Sequence, residues 1–294
     1  MKSSKQEYLL ESRLKKLDPE LHQRFRDTVF AMQNTLFRFR QLFPEFTDHS
    51  SLHSVSVIQF CNQIIGPQQI QQLSADEIYM LLVGCYLHDV GMGISRDQYE
   101  VFRRQIPFGD YLEKHPDSPI DHIIRDFHQE FSAAFIRKYS DFLEIPSPEH
   151  GWGIIQICRG HRKTDLLDPA EYPSEFTMPN GSTVHLPYLS ALIRLADEID
   201  VLASRNPLML YDMESFIDPK EIAYHKRHLA VQSMNITRDA FELLVAPADP
   251  ETTRMITDMK KKMEQTLQYC RKVAEATSPF RISQKEVTLT HLQQ

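Results

Sequence analysis

A chain of 294 residues, 41% hydrophobic and 25% charged, can bury a sizeable core and has the make-up of a globular protein built as one large domain or two. The formal net charge of -7 excludes a surface given over to nucleic-acid phosphates, which calls for a basic field, so no extended nucleic-acid surface is expected. An anionic small molecule stays open as a partner, provided that positive charge is gathered locally, as a metal site would do.

With only 9 glycines and long stretches of apolar residues at helical spacing, the chain reads as mainly helical. From Glu20 to Phe43 the positions Leu21, Phe25, Val29, Met32, Leu36 and Phe39 recur at that spacing, and Pro44 stops the helix. A second helix runs from about Ser50 to Ile65 and closes at Gly66-Pro67. A third opens at Ser74, where Ser-Ala-Asp-Glu has the form of a capping box. It ends on YLHDVGMG, which sets His88 and Asp89, both costly to bury, directly after the apolar run from Ile78 to Leu87. Residues 94–120 are polar and broken by Pro107, Pro116 and Pro119, which reads as an insertion able to act as a lid.

Helical spacing returns from Ile120 to Leu143 and again around Gly153 to Arg159. Between Asp165 and Pro187, FTMPNGSTVHL holds Asn180-Gly181 between two short β-like runs, a hairpin signal. Residues 189–200 form a further apolar helix that contains Asp197. HLAVQSMNI and AFELLVAP, separated by Thr237, Arg238 and Asp239, resemble two strands of a small sheet. A final helix, about Glu251 to Ala276, carries Met255, Met259, Met263 and Leu267 on a core-packing stripe and is compatible with a homodimer or a monomer.

Cys61, Cys85, Cys158 and Cys270 form no CxxC pair, so they mark neither a zinc knuckle nor a disulfide framework and read as reduced thiols. The N-terminus lacks the unbroken apolar segment of a secretory signal, and the longest apolar stretch is too short to span a bilayer. The expectation is a cytoplasmic chain with no membrane insertion.

The side chains that carry chemistry are, in chain order, His53, His88, Asp89, His128, His161 and Asp197. Each falls on or at the end of a predicted helix, and histidines and carboxylates on successive helices of a bundle can converge on a metal. His115 and His122 compete with His128 for its role, and His49 lies one turn before His53. Nearby cations, Arg162, Lys163, Arg194 and Arg205, could hold phosphate, while Glu198 and Asp200 are possible pairing partners for them. His22, His150, His185 and His291 have no such context, and His225 and His228, in AYHKRH, read as part of a solvated loop in preference to a segment facing the substrate.

Over roughly Phe46 to Ser204, the stretches FTDHSSLHS, LHDVGM and LIRLADEID resemble the HD superfamily of metal-dependent phosphohydrolases, in the branch called HD-CE. A lone His-Asp doublet is a weak signal, but the ordered set in matching apolar context is a strong one. The expected architecture is mainly α: an HD-type helical bundle over residues 1–206, with residues 207–294 forming a small C-terminal β hairpin and closing helix packed on it. The resemblance implies that His53, His88, Asp89 and Asp197 are a four-ligand core, that Asp89 bridges where two ions bind, and that His128 and His161 hold the second ion. Imidazole and carboxylate suit manganese, iron, cobalt, nickel or zinc better than calcium.

The implied activity is hydrolysis of a nucleotide or related phosphate ester by a metal-activated water. Asp89, His128 and Lys163 are the catalytic candidates, and Arg162, Lys163, Arg194 and Arg205 the substrate-binding ones. Two alternatives stand beside it. One is an HD-type di-iron oxygenase, since the resemblance extends to HD relatives that use the same four-histidine, two-aspartate set to activate oxygen; Met92 bears on it, standing in HDVGM where several binuclear phosphodiesterase relatives carry Lys. The other is a non-catalytic nucleotide-binding module.

Overall fold

The helix that carries the His-Asp doublet, α4 (Ala75–Leu87), lies at the centre of the fold. The computed structural model describes residues 9–37, 51–162, 164–202 and 219–292, and every residue from Asp76 to Leu87 is buried in it. The capping box is present: the Glu77 N–H donates to Ser74 Oγ at 3.1 Å, and the Ser74 N–H donates to Glu77 Oε2 at 2.9 Å. A helix that is apolar all round needs neighbours all round. They are α1 (Leu9–Leu17), α2 (Pro19–Phe37), α3 (Ser51–Ile70), α9 (Pro148–Gly160) and α10 (Leu186–Glu198). Gly84 lets α9 and α10 close in on α4, since a Cβ there would lie 2.8 Å from Ile157 Cγ2 and 3.0 Å from Ile193 Cδ1.

Leu21, Phe25, Val29, Met32 and Leu36 of α2 are buried as their spacing predicts, whereas Phe39 and Pro44 lie outside the described residues. The second predicted helix leaves helical geometry at Gly66, where it was expected to end. The backbone kinks there at φ 75°, and Pro67, whose missing N–H costs nothing in a first turn, restarts the helix as far as Ile70. The helix predicted from Ile120 to Leu143 is two, α7 (Ile120–Asp126) and α8 (His128–Tyr139), divided at Phe127 with φ -120° and ψ 17°.

The polar stretch 94–120 packs onto the bundle through its aromatic side chains. It forms the short helices α5 (Arg96–Phe102) and α6 (Tyr111–Lys114). Tyr99 and Phe102 are buried, and Tyr99 and Phe108 place their rings 5.6 and 5.0 Å from those of Phe131 and Phe127.

The predicted hairpin pairs β1 (Phe176–Thr177) with β2 (Thr183–Val184) around Asn180-Gly181, Gly181 having φ 84°. Its turn docks on α4: Asn180 Nδ2 donates to Asp76 Oδ2 at 3.0 Å, the Ser182 hydroxyl donates to the same oxygen, and His150 Nε2 lies 2.9 Å from Asp76 Oδ1. Burial alone would raise the Asp76 pKa, but the bonds from His150, Ser182 and Asn180 outweigh it and bring it down to about 2.

After α11 (Pro219–Leu229), β3 (Val231–Ile236) and β4 (Ala240–Val245) pair antiparallel as expected. α12 (Pro250–Thr277) does not close the chain. It is the crossover to β5 (Glu286–His291), which pairs parallel with β4, so the sheet has the order β3-β4-β5. The α12 stripe runs through Thr252, Ile256, Met259, Met263 and Leu267; Met255 is only half-buried, because steps of four residues drift off a face that turns every 3.6. His225 and His228 are not in a solvated loop. They sit on α11 and are 1% and 4% exposed. All four cysteines are buried free thiols, and no single helix among the described residues is long and apolar enough to cross a membrane.

Candidate metal centre

Helix ends bring the candidate ligands together. His53 lies in the first turn of α3, His88 caps the C-terminus of α4 with Asp89 following, His128 opens α8, His161 caps α9, and Asp197 is one residue from the end of α10. Their ligand atoms form two groups, His53, His88, Asp89 and Asp197 in one and Asp89, His128 and His161 in the other, with the atoms of each group within 4.8 Å of one another. Asp89 is shared by its two oxygens. Oδ2 lies 3.4 Å from His53 Nε2 and 3.3 Å from His88 Nε2, while Oδ1 lies 3.3 Å from His128 Nε2 and 3.6 Å from His161 Nε2. Asp197 Oδ1 completes the first group, 3.2 Å from His53 Nε2. All six predicted ligands are therefore in one place, and His115 and His122 are exposed and outside it.

The other ring nitrogens explain why every Nε2 faces inward. His88 Nδ1 lies 3.0 Å from the Cys85 carbonyl, His128 Nδ1 lies 2.6 Å from the Arg125 carbonyl, and His161 Nδ1 contacts the Cys158 carbonyl, each three residues earlier in the chain. His53 Nδ1 lies 2.6 Å from Asp200 Oδ2. All four partners are acceptors, which assigns the proton to Nδ1 and leaves a lone pair on Nε2.

Those lone pairs face one another, at 3.2 Å between His53 and His88 and at 2.9 Å between His128 and His161. Facing lone pairs call for a positive charge between them. A proton is disfavoured at His161, because burial and the neighbouring His88 and His128 hold its pKa well below the usual histidine value. Burial would raise the pKa of Asp197, and a proton on His53 would by its hydrogen bond and charge hold that pKa well below the carboxylate range instead. Neutral imidazoles and ionised carboxylates at this spacing fit divalent transition metals.

The turn after α4 is held against α8 by two bonds through Ser132, whose Oγ accepts from the Gly91 N–H at 2.9 Å and donates to the His88 carbonyl at 2.7 Å. Gly91 is required there, since a Cβ would stand 2.2 Å from the His128 carbonyl oxygen. Met92 is buried in the same turn.

The predicted substrate-binding cations fare differently. Arg194 does not face the ligand groups: it donates to the Gly160 and Thr164 carbonyls at 2.8 and 2.7 Å and lies over the Tyr269 ring. Carbonyls left open where α9 ends attract it, and it thereby fixes the segment carrying His161. Arg162, next to His161, is half-buried, while Lys163 and Arg205 lie outside the described residues, as does His49. Glu198 pairs with Lys262 at 2.8 Å instead of with an arginine, and burial raises its pKa. Asp200, expected to pair with an arginine, orients His53 instead. Its place after Asp197 in LADEID was the available signal, one turn further round the same chain segment.

A cavity of about 690 Å³ opens between the outer faces of α8 and α9, beside Trp152, Glu130 and Arg159, and is lined by none of the six ligands. The convergent ligand atoms lie elsewhere.

No curated protein matches the chain. The family model described as HD-CE matches residues 43–273, from ahead of α3 to near the end of α12, and so takes in every candidate ligand. With that match over most of its length, the chain belongs to the HD-CE family, a branch of the HD-domain proteins.

Proposed function

We propose that the protein is a metal-dependent phosphohydrolase or phosphodiesterase that acts on a nucleotide or related phosphate ester. The observation that carries this reading is Asp89, whose two oxygens face two separate groups of ligand atoms. Bound there, a pair of divalent ions would activate water near neutral pH and neutralise charge on a phosphoryl group. The second group contributes three protein ligands and the first four, so the second keeps more room for a non-protein ligand.

The chain's own residues serve this arrangement. Asp200 and the Cys85, Arg125 and Cys158 carbonyls hold each imidazole with its lone pair inward, and the surroundings of His161 keep it unprotonated. Arg162 offers a cation beside the second group for a phosphate oxygen. The test is hydrolysis of a nucleotide panel by manganese-loaded protein, comparing wild type with Asp89→Ala. Loss of hydrolysis in the variant is the expected result, and equal activity in both sinks the reading.

A di-iron oxygenase is the second reading, favoured by the apolar, buried Met92, which leaves the turn after the doublet without an ammonium for phosphate. Iron content with oxygen consumption supports it. Full turnover without oxygen removes it.

A further inference from the structure

His128 and His161, which with Asp89 make up the second ligand group, come from the first turn of α8 and the end of α9. Their Nε2 lone pairs meet at 2.9 Å, an arrangement that pushes the two helix ends apart unless something holds them.

Two residues along a helix its surface turns by about 200°. Glu130, two residues after His128, and Arg159, two before His161, therefore leave α8 and α9 on the sides away from the imidazoles. They meet there: Arg159 Nε donates to Glu130 Oε1 at 2.9 Å and to Oε2 at 3.1 Å. Both line the cavity of about 690 Å³, which none of the six ligands lines. Among the described residues no other side-chain hydrogen bond or ion pair joins α8 to α9, the facing imidazoles apart.

Arg159 is itself held in place. Its Nη1 donates to Gln156 Oε1, one turn earlier on α9, at 3.2 Å and to Glu171 Oε2 at 3.1 Å, which turns the guanidinium edge toward Glu130. The side chains of Arg159 and Glu130 are 21% and 14% exposed, so solvent screens this pair less than a surface one. The first ligand group takes its other members from α3, α4 and α10, so the spacing of α8 from α9 enters the second group alone.

We propose that Glu130 and Arg159 are positioning residues for the second ion, their ion pair holding the start of α8 against the end of α9 and so setting the spacing of His128 and His161 before a cation arrives. The proposal rests on the proposed function only for its two ions, not for the phosphate chemistry. A site whose ligands are already spaced gives up less free energy on binding, and losing an outer partner of a metal ligand typically costs about ten-fold or more in affinity.

The experiment titrates manganese into the metal-free full-length protein and follows the signal of free manganese by electron paramagnetic resonance, which gives an affinity for each ion. Wild type is compared with Glu130→Ala, Arg159→Ala, the double variant, Arg159→Lys and Glu171→Ala, with circular dichroism recorded on each. Glu130→Ala and Arg159→Ala should bind the second ion about ten-fold or more weakly and the first ion as wild type does. The double variant should lose no more than the worse single one, as partners in one interaction require. Arg159→Lys, which keeps the charge, should recover part of the loss, and Glu171→Ala, which leaves the link between α8 and α9 intact, should lose nothing.

A second ion held as tightly by Glu130→Ala as by wild type overturns the proposal. So do parallel losses of both ions, and an equal loss in Glu171→Ala. Should Arg159→Ala fail to fold, Glu130→Ala and Arg159→Lys decide. A wild type that binds one ion removes the positioning role together with the two-ion reading, whereas two ions with no selective loss in the variants remove the positioning role alone. Hydrolysis of p-nitrophenyl phosphate by the same samples tests the reaction separately: selective loss of the second ion without turnover of any ester keeps the positioning role and sinks the hydrolase.

Discussion

His53 Nδ1 and Asp200 Oδ2 lie 2.6 Å apart, both buried, in a bond that aims the opposite ring nitrogen at Asp89 and Asp197. The carboxylate accepts the Nδ1 proton and makes the ring a better donor to a cation. In Asp200→Asn the charge is gone, and a side-chain amide that donates to Nδ1 would put the proton on Nε2, where it blocks ligation. Metal affinity is expected to fall roughly 10- to 100-fold with the helical circular dichroism signal unchanged. Competition with a chelator of known affinity measures it, and unchanged affinity refutes the role.

Sharing makes Asp89 and Asp197 unequal. Asp197 contributes to one ligand group and Asp89 to both. Elemental analysis after manganese reconstitution should find that Asp197→Asn keeps one of the two ions and Asp89→Asn retains neither fully. Equal losses in the two variants would mean that the groups are not joined through Asp89.

Gly91→Ala tests the joint between the doublet and α8. The added methyl would stand 2.2 Å from the His128 carbonyl oxygen and 2.7 Å from the Ser132 nitrogen, both main-chain atoms that cannot rotate away. A cost of at least about 3 kcal/mol is expected in urea unfolding, with loss of the ion held by His128 and His161. A variant as stable as wild type would show that α8 is free to shift.

Asp76 gives the fold an acid-sensitive joint. Its pKa lies at about 2 in the folded protein, below the ordinary 3.8, so its contribution is complete above the unfolded value and is lost as pH falls through the folded one. At neutral pH that is on the order of 2 kcal/mol. Between pH 6 and pH 3 wild type should lose about 1 kcal/mol more stability than Asp76→Asn in urea titrations. Parallel losses would remove Asp76 as the cause.

The ligand set was legible because each member interrupts an apolar helical pattern, where a charge or imidazole has to be explained. The role of Asp200 was not, since a carboxylate just past a helix end with arginines near it in the chain reads as their ion-pair partner until His53, far away in sequence, is seen to meet it. α1, nine residues long, is too short to announce itself, though Leu10 and Leu14 are fully buried. β5 escaped because a six-residue strand after a long helix looks like a tail until the β4–α12–β5 crossover supplies a parallel partner. The break at Phe127 was masked by apolar spacing that runs on through it.

The bond from His53 to Asp200 joins residues 147 apart in the chain. Closing a loop of that length costs entropy before any contact within the centre can repay it, so the ligand set exists only when α3, α4, α8, α9 and α10 have all docked. An ion is then a ligand of the finished fold alone and adds its binding energy after the last helix arrives. Its effect should fall on the rate at which the protein comes apart far more than on the rate at which it forms, so the stability that loading adds comes from slower unfolding and makes the loaded chain long-lived against proteases.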